Sequence, residues 1–140
     1  MAWVTLAVAL GLVVGSFLNV VIHRLPVMLE RQWRAQCAEL AAPATAPAAH
    51  KPYNLIVPRS ACPSCRAPIR AWQNIPVLSW LLLGGRCANC RARIGLRYPL
   101  VELLSAGLSA AVAWKFGPGW PAAGAMLVTW FLIALAVIDL

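Results

Sequence analysis

A chain of 140 residues has room for one ordinary domain and no more. Charged residues make up 11% of it and hydrophobic ones 61%, against about 25% charged in soluble domains; with a mean hydropathy of +0.73, this excludes an ordinary water-soluble enzyme. The formal net charge of +8 leaves nucleic acid and anionic lipid as the partners to weigh.

The first element is the apolar run AWVTLAVALGLVVGSFLNVVI, residues 2 to 22. A bilayer core of about 30 Å takes roughly 20 helical residues, so the run is long enough to span. A secretory signal would carry basic residues before a shorter apolar core. Here only Met1 precedes the run, and the first basic residue, Arg24, follows it. The pattern predicts a retained transmembrane helix over residues 1 to 23. Within it, GSFLN at 15 to 19 sets small residues and an amide near one end, which suits close helix–helix packing.

Residues 24 to 97 form a long basic loop. They hold 11 of the 12 Lys and Arg against Glu30 and Glu39, a net +9. Basic residues flanking spans favour the cytoplasmic side, which places this loop inside and the N-terminus outside. Charge beside two hydrophobic spans is explained by topology and anionic lipid, so no nucleic-acid partner is expected. Residues 27 to 39 read as an amphipathic surface helix or, equally, a solvated connector. LAAPATAPAAH, residues 40 to 50, reads as a flexible link. His23 and His50 fit a helix end and a linker, and Cys37 reads as a spare small residue.

Within the loop, Cys62-x2-Cys65 and Cys87-x2-Cys90 are separated by 21 residues. Each pair sets two sulfurs on one tight turn, and two such turns close a tetrahedron around Zn²⁺ with no place left for water. The expectation is a structural zinc lobe over about residues 60 to 92. Paired disulfides are the rival, disfavoured in a reducing compartment; a dithiol redox site would need a βαβ pattern that is missing. Between the pairs, IPVLSWLLLGG is too short to cross a bilayer and too apolar for water. Trp72 and Trp80 flank and punctuate it, so the lobe is expected to rest on the membrane surface.

Two further spans follow, at 98 to 116 and 120 to 140, joined by GPG at 117 to 119 on the outer side. Glu102 sits about one turn into the second span. An acidic group at that depth reads as functional by default, or as structural if it bonds Asn19 or pairs with Arg97. Asp139 closes the third span, and by this topology returns to the inner leaflet beside the thiols. The chain stops one residue later with no C-cap, basic anchor or polar tail. That ending predicts a longer parent chain. The fold expected is an all-α polytopic membrane protein, with three transmembrane helices and a zinc-binding cytoplasmic lobe between the first and second.

GSFLNVVIHRLP, the cysteine pairs around NIPVLSWLLLGGRC, RIGLRYPLVELL and the closing AVID, in this order, resemble the type IV prepilin peptidases. The resemblance covers nearly the whole chain from Gly11 onward. It implies a bacterial inner-membrane enzyme of type IV pilus assembly and type II secretion. Such enzymes cleave the basic leader of prepilins and pseudopilins, then N-methylate the new terminus with S-adenosylmethionine. The resemblance makes the cysteine quartet the family's zinc lobe and Asp139 the first of two catalytic aspartates. It also draws attention to Gly85 and Glu102 as methyl-donor residues. The family's second aspartate lies in a Gly-x-Gly-Asp motif that these 140 residues lack. Two carboxyl groups must share the acid–base work, so this stretch alone is expected not to cleave. The loop's +9 charge should repel basic leaders and hold the lobe on anionic lipid instead. The competing class is a non-catalytic, zinc-lobed membrane adaptor.

Overall fold

The computed structural model describes residues 1–41 and 53–140. The 40–50 link, apart from its first two residues, and His50 therefore lie outside the described residues. Four α-helices carry the fold: α1 (Ala2–Ala41), α2 (Leu78–Leu82), α3 (Arg97–Phe116) and α4 (Trp120–Asp139), with a short 3₁₀ turn at Ala71–Asn74 before α2. Among the described residues no strand forms; two isolated bridges, Ala61 to Pro68 and Arg86 to Arg93, tie the lobe. Three helices, α1, α3 and α4, are long and apolar enough to cross a membrane.

Helix α1 runs further than the hydrophobic pattern alone indicates. Its 40 residues extend about 60 Å at 1.5 Å per residue, roughly twice a bilayer core. Residues 27 to 39, read as a separate surface segment, are the continuation of the same helix through Pro26. The proline ring removes one N–H and crowds the carbonyl four residues back, yet the α pattern persists on both sides of it. Helix α3 places Pro99 in its first turn, where a missing N–H costs little. Gly117, at φ 66°, closes α3 with a left-handed residue of the kind that favours glycine. Pro121 then opens α4.

Close backbone approach joins α1 to α3. A Cβ on Gly11 would stand 2.8 Å from both the Ala106 Cα and the Ser105 carbonyl oxygen; one on Gly15 would stand 2.8 Å from the Glu102 Cα. Ser105 and Ser109, facing these glycines, are completely buried. Lipid is as apolar as leucine, so helix association in a bilayer rests on such small-residue packing and on interhelical hydrogen bonds. The Trp130 indole N–H donates to Ser109 Oγ at 3.0 Å, and the Asn19 amide donates to the Tyr98 carbonyl at 3.0 Å.

Two buried clusters fix the helix directions. At one end Leu18, Ile22, Val101, Ile133 and Ala134 meet, with Val137 and Ile138 packed on them. At the other, Ala7, Ala113 and Met126 meet beside Trp3 and Val4. Helix α3 is therefore antiparallel to α1 and α4, and Asp139, one residue past Ile138, lies at the end that carries the cysteine lobe.

Candidate metal lobe and the cavity beneath it

The lobe is built from two copies of one turn. Residues 62 to 69, CPSCRAPI, and 87 to 94, CANCRARI, share the pattern Cys-x-x-Cys-Arg-Ala-x-Ile. Their hydrogen bonds repeat as well. Cys62 N–H donates to the Ala67 carbonyl at 3.0 Å and Cys87 N–H to the Ala92 carbonyl at 2.9 Å. Arg66 N–H donates to Cys62 at 2.9 Å and Arg91 N–H to Cys87 at 3.0 Å. Arg66 and Arg91 take φ of 56° and 58°, a region that costs a non-glycine residue roughly 1–2 kcal/mol. Each follows the second cysteine of its pair, so the strained position also sets a cation next to a sulfur in the chain. The repeat was available in the sequence beyond the bare cysteine spacing.

All four cysteines are free, and their sulfurs lie within 4.8 Å of one another. Cys62 Sγ and Cys90 Sγ are 3.8 Å apart. Four sulfurs at about 2.3 Å from one ion at the centre of a tetrahedron stand about 3.8 Å from each other, so the donor set fits a metal ion. Asn89 supports it from the second turn. Its side-chain amide donates to Cys65 Sγ and its backbone N–H to Cys87 Sγ, each at 3.5 Å.

These contacts set the thiols' acidity apart. The Asn89 amide, with the Ala67 N–H, holds the Cys65 thiol down at about 6. The Cys90 and Asn89 N–H groups lower Cys87. For Cys90, the Ala92 N–H pulls down but desolvation and the three neighbouring sulfurs outweigh it, raising the thiol to about 11. Cys37 stands exposed on α1, outside the quartet.

The lobe is moored to the helices by three residues far from it in sequence. Arg24, buried on α1, donates to the Asn54 carbonyl at 2.8 Å and the Pro58 carbonyl at 2.5 Å. Arg31 stacks over the Tyr53 ring at 4.2 Å. From α3, the buried Glu102 carboxylate accepts the Val77 N–H at 2.7 Å. Glu102 thus bonds neither Asn19 nor Arg97; the bond it makes to the lobe is with the backbone just before α2. Nothing in local periodicity marks Arg24 or Val77 for these contacts.

Between the lobe and the helices lies a cavity of about 460 Å³, lined among others by Ser16, Asn19, Arg24, Trp80, Tyr98 and Glu102. Asn19 is buried, and its Oδ1 has no partner among the described residues. His23 also borders the space, whereas Gly85 and Asp139 do not. Gly85 acts one residue removed. At φ +66° a Cβ there would stand 2.8 Å from the Trp80 ring, and Trp80 walls the cavity. Asp139 is exposed at the end of α4.

Residues 9–116 match the family model described as Bacterial Peptidase A24 N-terminal domain. The chain belongs to this family. Its relatives include proteins called prepilin leader peptidase/N-methyltransferase. The one from Aeromonas hydrophila is 58% identical over 130 residues, 93% of this chain and 45% of that protein. Those from Pseudomonas aeruginosa and Neisseria gonorrhoeae are 52% and 53% identical, over 99% and 97% of this chain and 48% of each relative. The chain therefore spans less than half the length of the relatives it matches. No solved structure matches it. The family resemblance carried by the sequence motifs is thus established, and α1 from residue 9 onward, the lobe and all of α3 are what the family model covers.

Proposed function

We propose that this chain is the lobe-bearing part of a prepilin-processing enzyme, one that removes the leader of type IV prepilins and pseudopilins and methylates the new N-terminus. Family membership supports this. The observation that carries it is the convergence at one end of the bundle of a four-sulfur centre, a polar-walled cavity and the Asp139 carboxyl. In this reading the lobe faces the cytoplasm of a bacterial inner membrane, because the loop that carries it, residues 24 to 97, has a net charge of +9, which favours that side.

The metal is zinc, held by Cys62, Cys65, Cys87 and Cys90. Four thiolates fill its shell, so it shapes the lobe and leaves no open position for chemistry. Zinc uptake is expected to release protons and to weaken on acidification, because the Cys90 thiol, up at about 11, has to lose its proton while Cys65, at about 6, is already thiolate at neutral pH. Asn89→Ala removes the leading cause of that lowering, so half-loss of zinc should move to a higher pH. Metal content measured across a pH series checks the sign; an unchanged midpoint would count against the Asn89 contact.

The cavity is the seat we assign to S-adenosylmethionine. Its volume lies within the range of about 300–1,000 Å³ usual for small-molecule sites. The unpartnered Asn19 Oδ1 offers an acceptor to a hydroxyl or amine, and Glu102 offers negative charge. When bound, the donor supplies an electrophilic methyl group. Glu102 and Asn19 hold and orient it, Trp80 walls it off from water, and Gly85 keeps room for the indole. Photo-crosslinking of radiolabelled S-adenosylmethionine to the 140-residue chain in nanodiscs tests this. Glu102→Gln keeps an acceptor for the Val77 N–H but removes the charge, and should lower labelling about tenfold or more; Asn19→Ala should act alike. Undiminished labelling in both would move the donor elsewhere.

Asp139 is the carboxyl we assign to leader cleavage. A second carboxyl is needed beside it, one to activate water and the other to protonate the departing amine. A prepilin incubated with these 140 residues alone is expected to keep its leader by mass spectrometry, and appearance of the mature chain would refute the assignment.

A further inference from the structure

The lobe carries seven arginines between Tyr53 and Arg97 and no Asp or Glu. Even four metal-bound thiolates, at net −2 with Zn²⁺, leave this segment positive, and the counter-charge has to come from outside it. The same lobe exposes an apolar face. On α2, Leu78, Leu81 and Leu82 follow the i, i+3, i+4 spacing of one helix face, and all three are exposed, as is Ile75 just before them; Leu82 keeps 74% of its surface. The opposite side of α2 is spent inward, where Trp80 lines the cavity and its indole N–H reaches the Ile94 carbonyl at 3.4 Å.

The depth of this face is set by the Glu102 tie. Glu102 is the sixth residue of α3, about 7.5 Å along the axis from its start at 1.5 Å per residue. Val77, bonded to it, brings the beginning of α2 to that level, inside the end of a membrane-length helix. The chain then leaves through Gly84 and Gly85, at φ 59° and 66°, and turns into the second cysteine pair. There Leu82, Leu83, Arg86, Cys87, Ala88 and Arg91 surround a hollow of about 300 Å³. The exposed Leu82 thus shares this hollow with two exposed arginines, Arg86 and Arg91.

We infer that α2 is a membrane-inserted wedge and that this hollow binds the headgroup phosphate of an anionic phospholipid between Arg86 and Arg91. The acyl chains lie along Leu78, Leu81 and Leu82. An arginine fork matches phosphate oxygens, and apolar side chains beneath basic ones form the usual interfacial arrangement. The lobe is thereby held at a fixed height above the lipid independently of the mooring through Arg24. The inference does not depend on the methyl-donor reading: the hollow shares Leu83, Cys87 and Ala88 with the cavity wall but none of the residues assigned to the donor.

The test uses the 140-residue chain with Leu82 replaced by photoreactive benzoylphenylalanine, in nanodiscs of phosphatidylcholine alone or mixed with phosphatidylglycerol. Mass spectrometry should find the label on lipid in both, with phosphatidylglycerol captured well beyond its share of the mixture. Arg86→Gln and Arg91→Gln should each reduce that enrichment roughly fivefold, with metal content unchanged to show that the cysteine turns persist. Label on protein, or no lipid adduct, would overturn insertion of α2. Capture in proportion to lipid composition, or enrichment indifferent to both arginine variants, would overturn the headgroup site. Binding of S-adenosylmethionine by the same variants, measured in parallel, separates failure of this site from failure of the cavity assignment.

Discussion

Alanine at Gly15 is expected to weaken the bundle and alanine at Gly107 to strengthen it, although both positions are glycines inside helices. On helix propensity alone each substitution should gain up to about 1 kcal/mol. At Gly15 the new Cβ would stand 2.8 Å from the Glu102 Cα and 3.2 Å from the Val101 carbonyl oxygen. Both are backbone atoms, so the helices themselves must part. Overpacking of this kind costs about 1–3 kcal/mol, which outweighs the propensity gain. Gly11 meets backbone at the same 2.8 Å and should behave as Gly15 does. At Gly107 and Gly124 a Cβ meets nothing within 4 Å, so only the propensity term remains. Thermal unfolding of the four variants in one detergent reads the signs directly, and four shifts in the same direction would refute the packing account. Leucine at Gly15 should go further. It pushes on the backbone of Glu102, and through the bond to Val77 it should loosen the lobe as well as the bundle.

The contrast shows which parts of the molecule can be read from one sequence. The three spans were legible because each is a continuous apolar run whose length matches a bilayer. The quartet was legible because metal-ligand spacing is local, two residues within each pair. Gly11-x3-Gly15 is likewise a local small-residue pattern, of which GSFLN holds only the second half. The moorings are of another kind. Arg24 reaches Asn54 and Pro58, Asn19 reaches Tyr98 and Glu102 reaches Val77. These pairs are joined by the folded path of the chain, and no periodicity encodes them. The long run of α1 was hidden for a related reason. Its span ends where the apolar pattern ends, and Pro26 reads as a break at that point, so residues 27 to 39, legible as an amphipathic helix, gave no sign of continuing the same one. Glu102 was legible as unusual and not as to purpose, since depth makes a carboxylate costly without naming its partner.

Stripping the metal is expected to unfold the lobe while leaving the three long helices in place. Between Tyr53 and Leu96, among residues whose burial is described, only Cys62 and Gly85 are buried; the lobe has no apolar core to hold it once the sulfurs are released. Its turns are fixed by a handful of backbone bonds around the two cysteine pairs, and so small a unit needs a metal or a crosslink to fold. Apparent binding free energies of about 10–16 kcal/mol for structural zinc far exceed what those bonds supply at about 1 kcal/mol each. The bundle has its own support in the two buried clusters and the glycine–serine contacts, none of which involves the lobe. Hydrogen–deuterium exchange with and without a chelator should therefore show the amides of Cys62, Ile69, Cys87 and Ile94 losing protection by orders of magnitude, while those of α3 and α4 barely change. Cys62→Ser should reproduce the chelator without added reagent, and Cys37→Ser should not. Protection that survives in the stripped lobe would mean that the membrane surface, acting on α2, is sufficient to fold it. Collapse of α3 together with the lobe would mean that the Glu102–Val77 bond carries stability in both directions, making lobe and bundle one cooperative unit.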